Sequence, residues 1–152
     1  MKEDTLLQKT NTKQQIDIRS LAQRLDVLIS KEAENIPYKK GNIVYIKQYG
    51  IIKKDRHCFI IQYKGQKIAT MFDKTSAWAL VKHLLRDDQK LVDEVLEADR
   101  QLSKYYNDSL FYLNILANTK DETRSFVAET RLDISQAEII RYIDVIGDLA
   151  DC

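Results

Sequence analysis

Between Gly65 and Gly147 the chain contains neither glycine nor proline, and through the middle of that stretch apolar or small residues recur at alternating steps of four and three. Leu91, Val95, Ala98, Leu102, Tyr105, Ser109, Tyr112 and Leu116 keep this spacing without a break. Such a heptad holds one seam of a helix against a neighbouring helix over several turns. A chain carrying it is committed to a long helix and to a second one that covers the seam.

The following segment supplies that second helix. Asn118 can end the first arm, and Thr119-Lys120-Asp121-Glu122 has the form of a capping box, with the Thr119 side chain accepting from the Glu122 amide. From about Lys120 to Ile146, Thr123, Val127, Thr130, Ile134 and Ala137 line one edge, and Leu132, Ile139, Ile143 and Ile146 another. Each arm has about 28–30 residues, or ~42–45 Å at ~1.5 Å per residue, so Ile146 returns to the level of Asp88. The candidate helix seam is Leu91, Val95, Leu102, Tyr105, Tyr112 and Leu116. Leu110, Phe111, Leu113 and Ile115 lie off it, and Ile139, Ile140, Ile143 and Ile146 are apolar nearly all round, so a third surface is required. Either an N-terminal helix of the same chain or a neighbouring subunit would serve.

Upstream, Ile43 to Tyr49 is β-branched and aromatic, with Gly50 expected as a bulge or bend before Ile51-Ile52. Lys54-Asp55-Arg56 reads as a turn, His57 to Tyr63 as an alternating strand, and Lys64-Gly65 as a tight hairpin into Gln66 to Phe72. Asp73 or Thr75 can cap a helix whose Ala77, Trp78, Leu80, Val81, Leu84 and Leu85 form an apolar face. Ahead of Pro37, which ends a helix, Ile18, Leu21, Leu25 and Leu28 make a helical stripe. The expected fold is therefore α+β: an N-terminal helix, a three-stranded antiparallel sheet with one packed helix, and a long antiparallel helical hairpin. Its parts are 1–37, an N-terminal helix and polar tail; 38–86, a basic sheet-and-helix module; and 87–152, an acidic hairpin.

Charge follows these boundaries. Residues 38–86 hold eleven Lys or Arg against two acids, +9, whereas residues 87–152 hold seven bases against fifteen acids, −8, although the whole chain is only +1. Such separation speaks to partners and assembly. Lys53, Lys54, Arg56, Lys64 and Lys67 fall at the turns, where they could contact phosphates or an acidic partner, and Tyr45, Tyr49 and Tyr63 could stack on bases. The layout resembles that of double-stranded RNA-binding domains in topology alone. Lysine on strand edges also serves solubility.

No catalytic constellation, cofactor motif or metal-ligand spacing is legible. His57 and His83 have no ligand spacing between them, Cys58 and Cys152 form no C-x-x-C pair, and the four glycines are isolated. Asp87-Asp88 and Asp93-Glu94-Glu97 sit where a long helix starts, where carboxylates complement the helix dipole. The first fifteen residues lack the apolar core of a signal peptide, and no apolar run reaches a membrane-spanning length. The expected setting is intracellular, with no membrane, cofactor or small-molecule partner.

Three stretches together, Gly41-Asn42-Ile43-Val44-Tyr45-Ile46 with Tyr49-Gly50-Ile51-Ile52, then Lys67 to Ala77, and Tyr105-Tyr106-Asn107-Asp108-Ser109-Leu110-Phe111-Tyr112 with Glu129-Thr130-Arg131-Leu132-Asp133-Ile134, resemble small proteins without assigned activity carried by tailed phages of marine bacteria. The resemblance covers about residues 38–135, transfers no site residue, and implies a virion context. The sequence thus leads to an expectation of a non-enzymatic structural or assembly protein that contacts a protein partner or itself. Nucleic-acid binding through the basic module is the alternative.

Overall fold

A computed structural model describes residues 37–152, so the expected N-terminal helix lies outside the described residues. Within them, the architecture is α+β. Five strands, β1 (Tyr38–Lys40), β2 (Ile43–Ile46), β3 (Tyr49–Asp55), β4 (Cys58–Tyr63) and β5 (Gln66–Met71), form one sheet in chain order. Three helices follow, α1 (Lys74–Leu85), α2 (Gln89–Asn118) and α3 (Glu122–Asp151). Residues Lys39–Cys152 make one compact unit.

The sheet has five strands where three were expected: the run from Ile43 to Ile52 folds back on itself to give two, and Tyr38–Lys40 adds an edge strand ahead of them. The turn of that run is Lys47-Gln48, and Ile46 pairs with Tyr49 across it. Lys47 takes φ 53°, a left-handed value that hairpin turns favour and that Gly or Asn would normally supply. The Lys64-Gly65 turn, with φ 51° and 82°, falls where the sequence placed it. The connection from β3 to β4 is Arg56-His57, so His57 belongs to a turn and not to a strand.

Gly50 is neither bulge nor bend. It pairs in register with Tyr45, and the register shifts fall elsewhere, between Lys53 and Asp55 and between Ile61 and Gln62. Its role is to leave room: a Cβ there would sit 3.0 Å from Ile43 Cγ2 and 3.4 Å from the Tyr45 ring. Gly50→Ala should therefore cost about 1 kcal/mol in a urea melt, the crowding outweighing the entropy that alanine saves. Gly147→Ala, where a Cβ meets nothing within 4 Å on helix α3, should stabilise by up to ~1 kcal/mol.

One face of the sheet, with Ile46, Ile51, Phe59, Ile61 and Met71, packs on Ala77, Leu80 and Val81 of α1. The other side of α1 joins the same core as Val92, Val95, Ala98 and Leu102 of α2 and Ile146 and Leu149 of α3. Helix α1 is thus the layer between sheet and hairpin. It ends in a Schellman turn: Asp88 N donates to His83 O, Asp87 N donates to Leu84 O, and Asp87 adopts φ 56°. Asp88 then caps α2 by accepting from Leu91 N at 3.2 Å.

The hairpin connection departs from the capping box. Asp121 is the N-cap of α3, accepting from Thr123 N at 2.9 Å and Arg124 N at 3.3 Å. Thr119 instead caps the end of α2, its amide donating to Ile115 O and its hydroxyl oxygen accepting from Asp121 N. Aspartate is the better helix N-cap of the two, which sets the start two residues later.

Candidate interaction surfaces

Helix α3 carries two heptad seams, and among the described residues only one of them is covered. The buried or half-buried seam is Ser125, Ala128, Leu132, Ser135, Ile139, Tyr142, Ile146 and Leu149, which faces α2. In α2 the candidate seam residues Val95 and Leu102 are buried and Leu91, Tyr105, Tyr112 and Leu116 are half-buried, with the small Ala98 and Ser109 fully between them. Tyr105 and Tyr142 stack across the interface with ring centroids 6.0 Å apart. Small residues on both sides let the helices come close. The edge formed by Thr123, Val127, Thr130, Ile134 and Ala137 points outward instead.

The hairpin consequently presents much apolar surface. Leu110, Phe111, Leu113, Phe126, Val127, Ile134, Ile140 and Ile143 are all exposed. Two helices have only one mutual seam, so both flanks of the hairpin beyond the sheet lack a covering element among the described residues. Ion pairs on this surface are short-range and solvated: Arg100 with Glu97 at 2.6 Å, Lys104 with Asp108 at 3.2 Å and Arg141 with Glu138 at 2.7 Å. Exposed pairs of this kind contribute little to stability, because solvent and salt screen them.

The basic residues do not form one patch. Lys53, Lys54 and Arg56 lie at the end of the sheet where β3 turns into β4, near Lys39 and Lys40, which lead into the Gly41-Asn42 turn. Lys64 and Lys67 lie at the opposite end, about 20 Å away at ~3.3 Å per residue of β4, where Lys64 N donates to Gln48 O at 2.9 Å. Lys54 sits in the register shift between Lys53 and Asp55, outside the regular pairing of β3 with β4. Two further bases serve the fold. Lys82 Nζ donates to Ala150 O at 2.6 Å, and the Arg86 guanidinium donates to Cys152 O at 2.7 Å. Between them the fully buried His83 places Nε2 2.7 Å from Leu149 O, which fixes that nitrogen as the protonated one. Three side chains from the last turns of α1 thus satisfy carbonyls at the end of α3, where the helix dipole is negative. Part of the +9 is local helix-end chemistry.

One buried carboxylate escaped the sequence reading. Asp99 of α2 accepts from Phe72 N at 2.9 Å and Asp73 N at 3.0 Å, one on each oxygen, and from the Ser76 hydroxyl. It clamps the junction of β5 and α1, whose own N-cap, Asp73, accepts from Thr75 N and Ser76 N. Burial pushes the Asp99 carboxyl above the usual carboxylate range, against the pull of its hydrogen bonds. Beside it, His57 stacks on Phe72 at 4.6 Å, and Tyr106 closes on both rings. His57, Phe72 and Asp99, with Thr70, Met71, Leu96, Arg100 and Ser103, line a cleft of about 300 Å³. Asp99 and Arg100 are already engaged, by the junction and by Glu97. Among the described residues no group of three His, Cys, Asp or Glu is placed to hold a metal, and no helix is long and apolar enough to cross a membrane. Cys58 and Cys152 are free thiols, half-buried and exposed respectively.

No protein-family model matches the sequence, and neither the curated proteins nor the solved structures yield a significant match.

Proposed function

We propose that this chain is a non-enzymatic assembly protein that works through protein contacts made by its helical hairpin. The observation that carries this reading is the row of large apolar side chains left exposed along a hairpin whose mutual seam is already filled. Exposed apolar surface of that extent generally belongs to an interface. The resemblance to small proteins of tailed marine phages supports a virion component as the setting.

Apolar association persists in salt, which separates this reading from its rival. Light scattering and sedimentation at ~100 μM should give a mass above that of the monomer, or a defined complex with a co-assembling protein, unchanged between ~50 and ~500 mM salt. A monomer throughout, with no such complex, would sink the proposal.

The second reading is nucleic-acid binding at the basic end of the sheet, favoured by the grouping of Lys39, Lys40, Lys53, Lys54 and Arg56 there. It requires retention of DNA or RNA at ~50 mM salt that falls with a log-log slope of about −0.9 per neutralised phosphate. Joint neutralisation of Lys53, Lys54 and Arg56 should abolish it, while changes at Lys64 and Lys67, at the far end of the sheet, should have little effect.

A further inference from the structure

Of all exposed segments, the outer edge of α3 is the one whose pattern specifies its own partner. Phe126 is 70% exposed, Val127 46%, Ile134 58% and Ile140 63%. Val127 and Ile134 alternate with Thr123, Thr130 and Ala137 at steps of four and three, a second heptad on a helix already held by its first.

We infer that this edge pairs with the same edge of a second copy of the chain, the two α3 helices running antiparallel about a two-fold axis beside Leu132. The inference rests on the assembly reading and names its partner. In that register Val127 lies opposite Ala137 of the other copy, and Ile134 opposite Thr130, so each large core residue meets a small one. Phe126 and Ile140, on one flank, cover each other twice. Arg124 and Glu138, on the other flank, form two ion pairs related by the axis, with Glu138 also keeping its contact to Arg141 of its own helix. Every one of these residues is described by a single isologous contact.

Other arrangements fit less well. In a parallel pair the flanking positions would set Asp133 against Glu138 and Phe126 against Arg131, a like-charge contact and a charge on an aromatic face that already has an apolar match. Sliding the antiparallel pair by one heptad in either direction strands one of the two exposed aromatic or aliphatic flanks. The proposed register also brings Arg131 and Asp133 near their own copies, like-charge contacts that the Arg124–Glu138 pairs and the apolar contacts outweigh and that salt weakens. Among the described residues it also avoids the contacts between α1 and the end of α3. The contact runs from about Glu122 to Tyr142, short of the stretch from Leu149 to Cys152 that Lys82, His83 and Arg86 hold.

The size of the surface sets the strength. Four large side chains per copy, at roughly 100 Å² of exposed area each, with the smaller core residues and the ion pairs, bury about 1,000 Å² in total, at the lower edge of specific interfaces. Interfaces of that size belong to the weak, transient class.

Sedimentation equilibrium of the full chain from ~1 to ~200 μM should show a monomer–dimer equilibrium with Kd of about 10–100 μM. Ile134→Asp, at a position the monomer leaves exposed, should weaken it at least about tenfold. Arg124→Glu and Glu138→Arg should each weaken it several-fold, and the double variant Arg124→Glu/Glu138→Arg should return Kd to within about twofold of the parent, since only the antiparallel register joins these two positions. Restoration by the double variant supports the contact even if Ile134→Asp fails to fold. A dimer that survives Ile134→Asp, or single-charge variants that the double does not rescue, would overturn this contact and leave assembly through another surface standing. A monomer at every concentration would overturn it and, with no other partner, the assembly reading as well.

Discussion

Leu102→Asp should unfold most of the chain's described core. Leu102 is buried in the middle of the α2 seam, in one cluster with Val95, Ala98 and Ile146, and that cluster is continuous with the residues α1 lays against the sheet. Truncation to alanine at such a site costs about 3 kcal/mol from lost transfer energy and the cavity left behind. Aspartate adds the desolvation of a carboxylate that has no donor in reach, raising the expected loss to about 5 kcal/mol or more. Domains of this size are stable by ~5–15 kcal/mol, so the variant should show a broadened or absent urea transition. Leu110→Asp, one helix turn or two further along and exposed, should change the melting temperature by no more than a few degrees. Equal melts for Leu102→Asp and the parent would reject the packing of the hairpin seam.

The hairpin was the most legible part of the chain because two signals agreed there: the heptad of α2 and the absence of any helix breaker from Gln66 to Ile146. The choice of seam on α3 was not legible. Its inner seam holds Leu132, Ile139, Ile146 and Leu149 but also Ser125, Ala128 and Ser135, while the outer edge holds Val127 and Ile134, so apolar residues recur on both edges and the pattern does not single one out. What decides is closeness, since Ala98 and Ser109 of α2 admit a near neighbour that is equally small. Strand count failed for a related reason. The run Ile43-Val44-Tyr45-Ile46-Lys47-Gln48-Tyr49 has no glycine or asparagine at its centre, and the turn that splits it is made by Lys47 in a left-handed conformation that this residue type seldom signals. Of the basic residues expected at turns, Arg56 and Lys64 lie there, whereas Lys53 and Lys54 lie in β3 and Lys67 in β5, and their division between two ends of the sheet follows from antiparallel strand direction.

Asp99 shows what long-range placement hides, and it carries the other large expected effect. In sequence it sits beside Arg100 and reads as a solvated helix charge; in the fold it reaches donors 23 to 27 residues earlier. Asp99→Ala would leave the Phe72 and Asp73 amides and the Ser76 hydroxyl without their acceptor at a half-buried junction. At about 1 kcal/mol for each, the expected loss is about 3 kcal/mol. Asp99→Asn should recover only part of it, because the two backbone donors use different oxygens and an amide presents an acceptor to just one of them. The pH dependence has a defined sign. The folded carboxyl titrates above its unfolded counterpart, so the native state holds more protons between the two pKa values. The stability that this ionisation controls is fully present below the unfolded value of ~3.9 and is lost as pH rises through the folded value. Urea midpoints of the parent relative to Asp99→Asn should therefore draw closer together as pH is raised from ~3.5 through that window. A gap that widens instead would mean that the three hydrogen bonds outweigh the burial of the charge, and would place the folded carboxyl below the ordinary range.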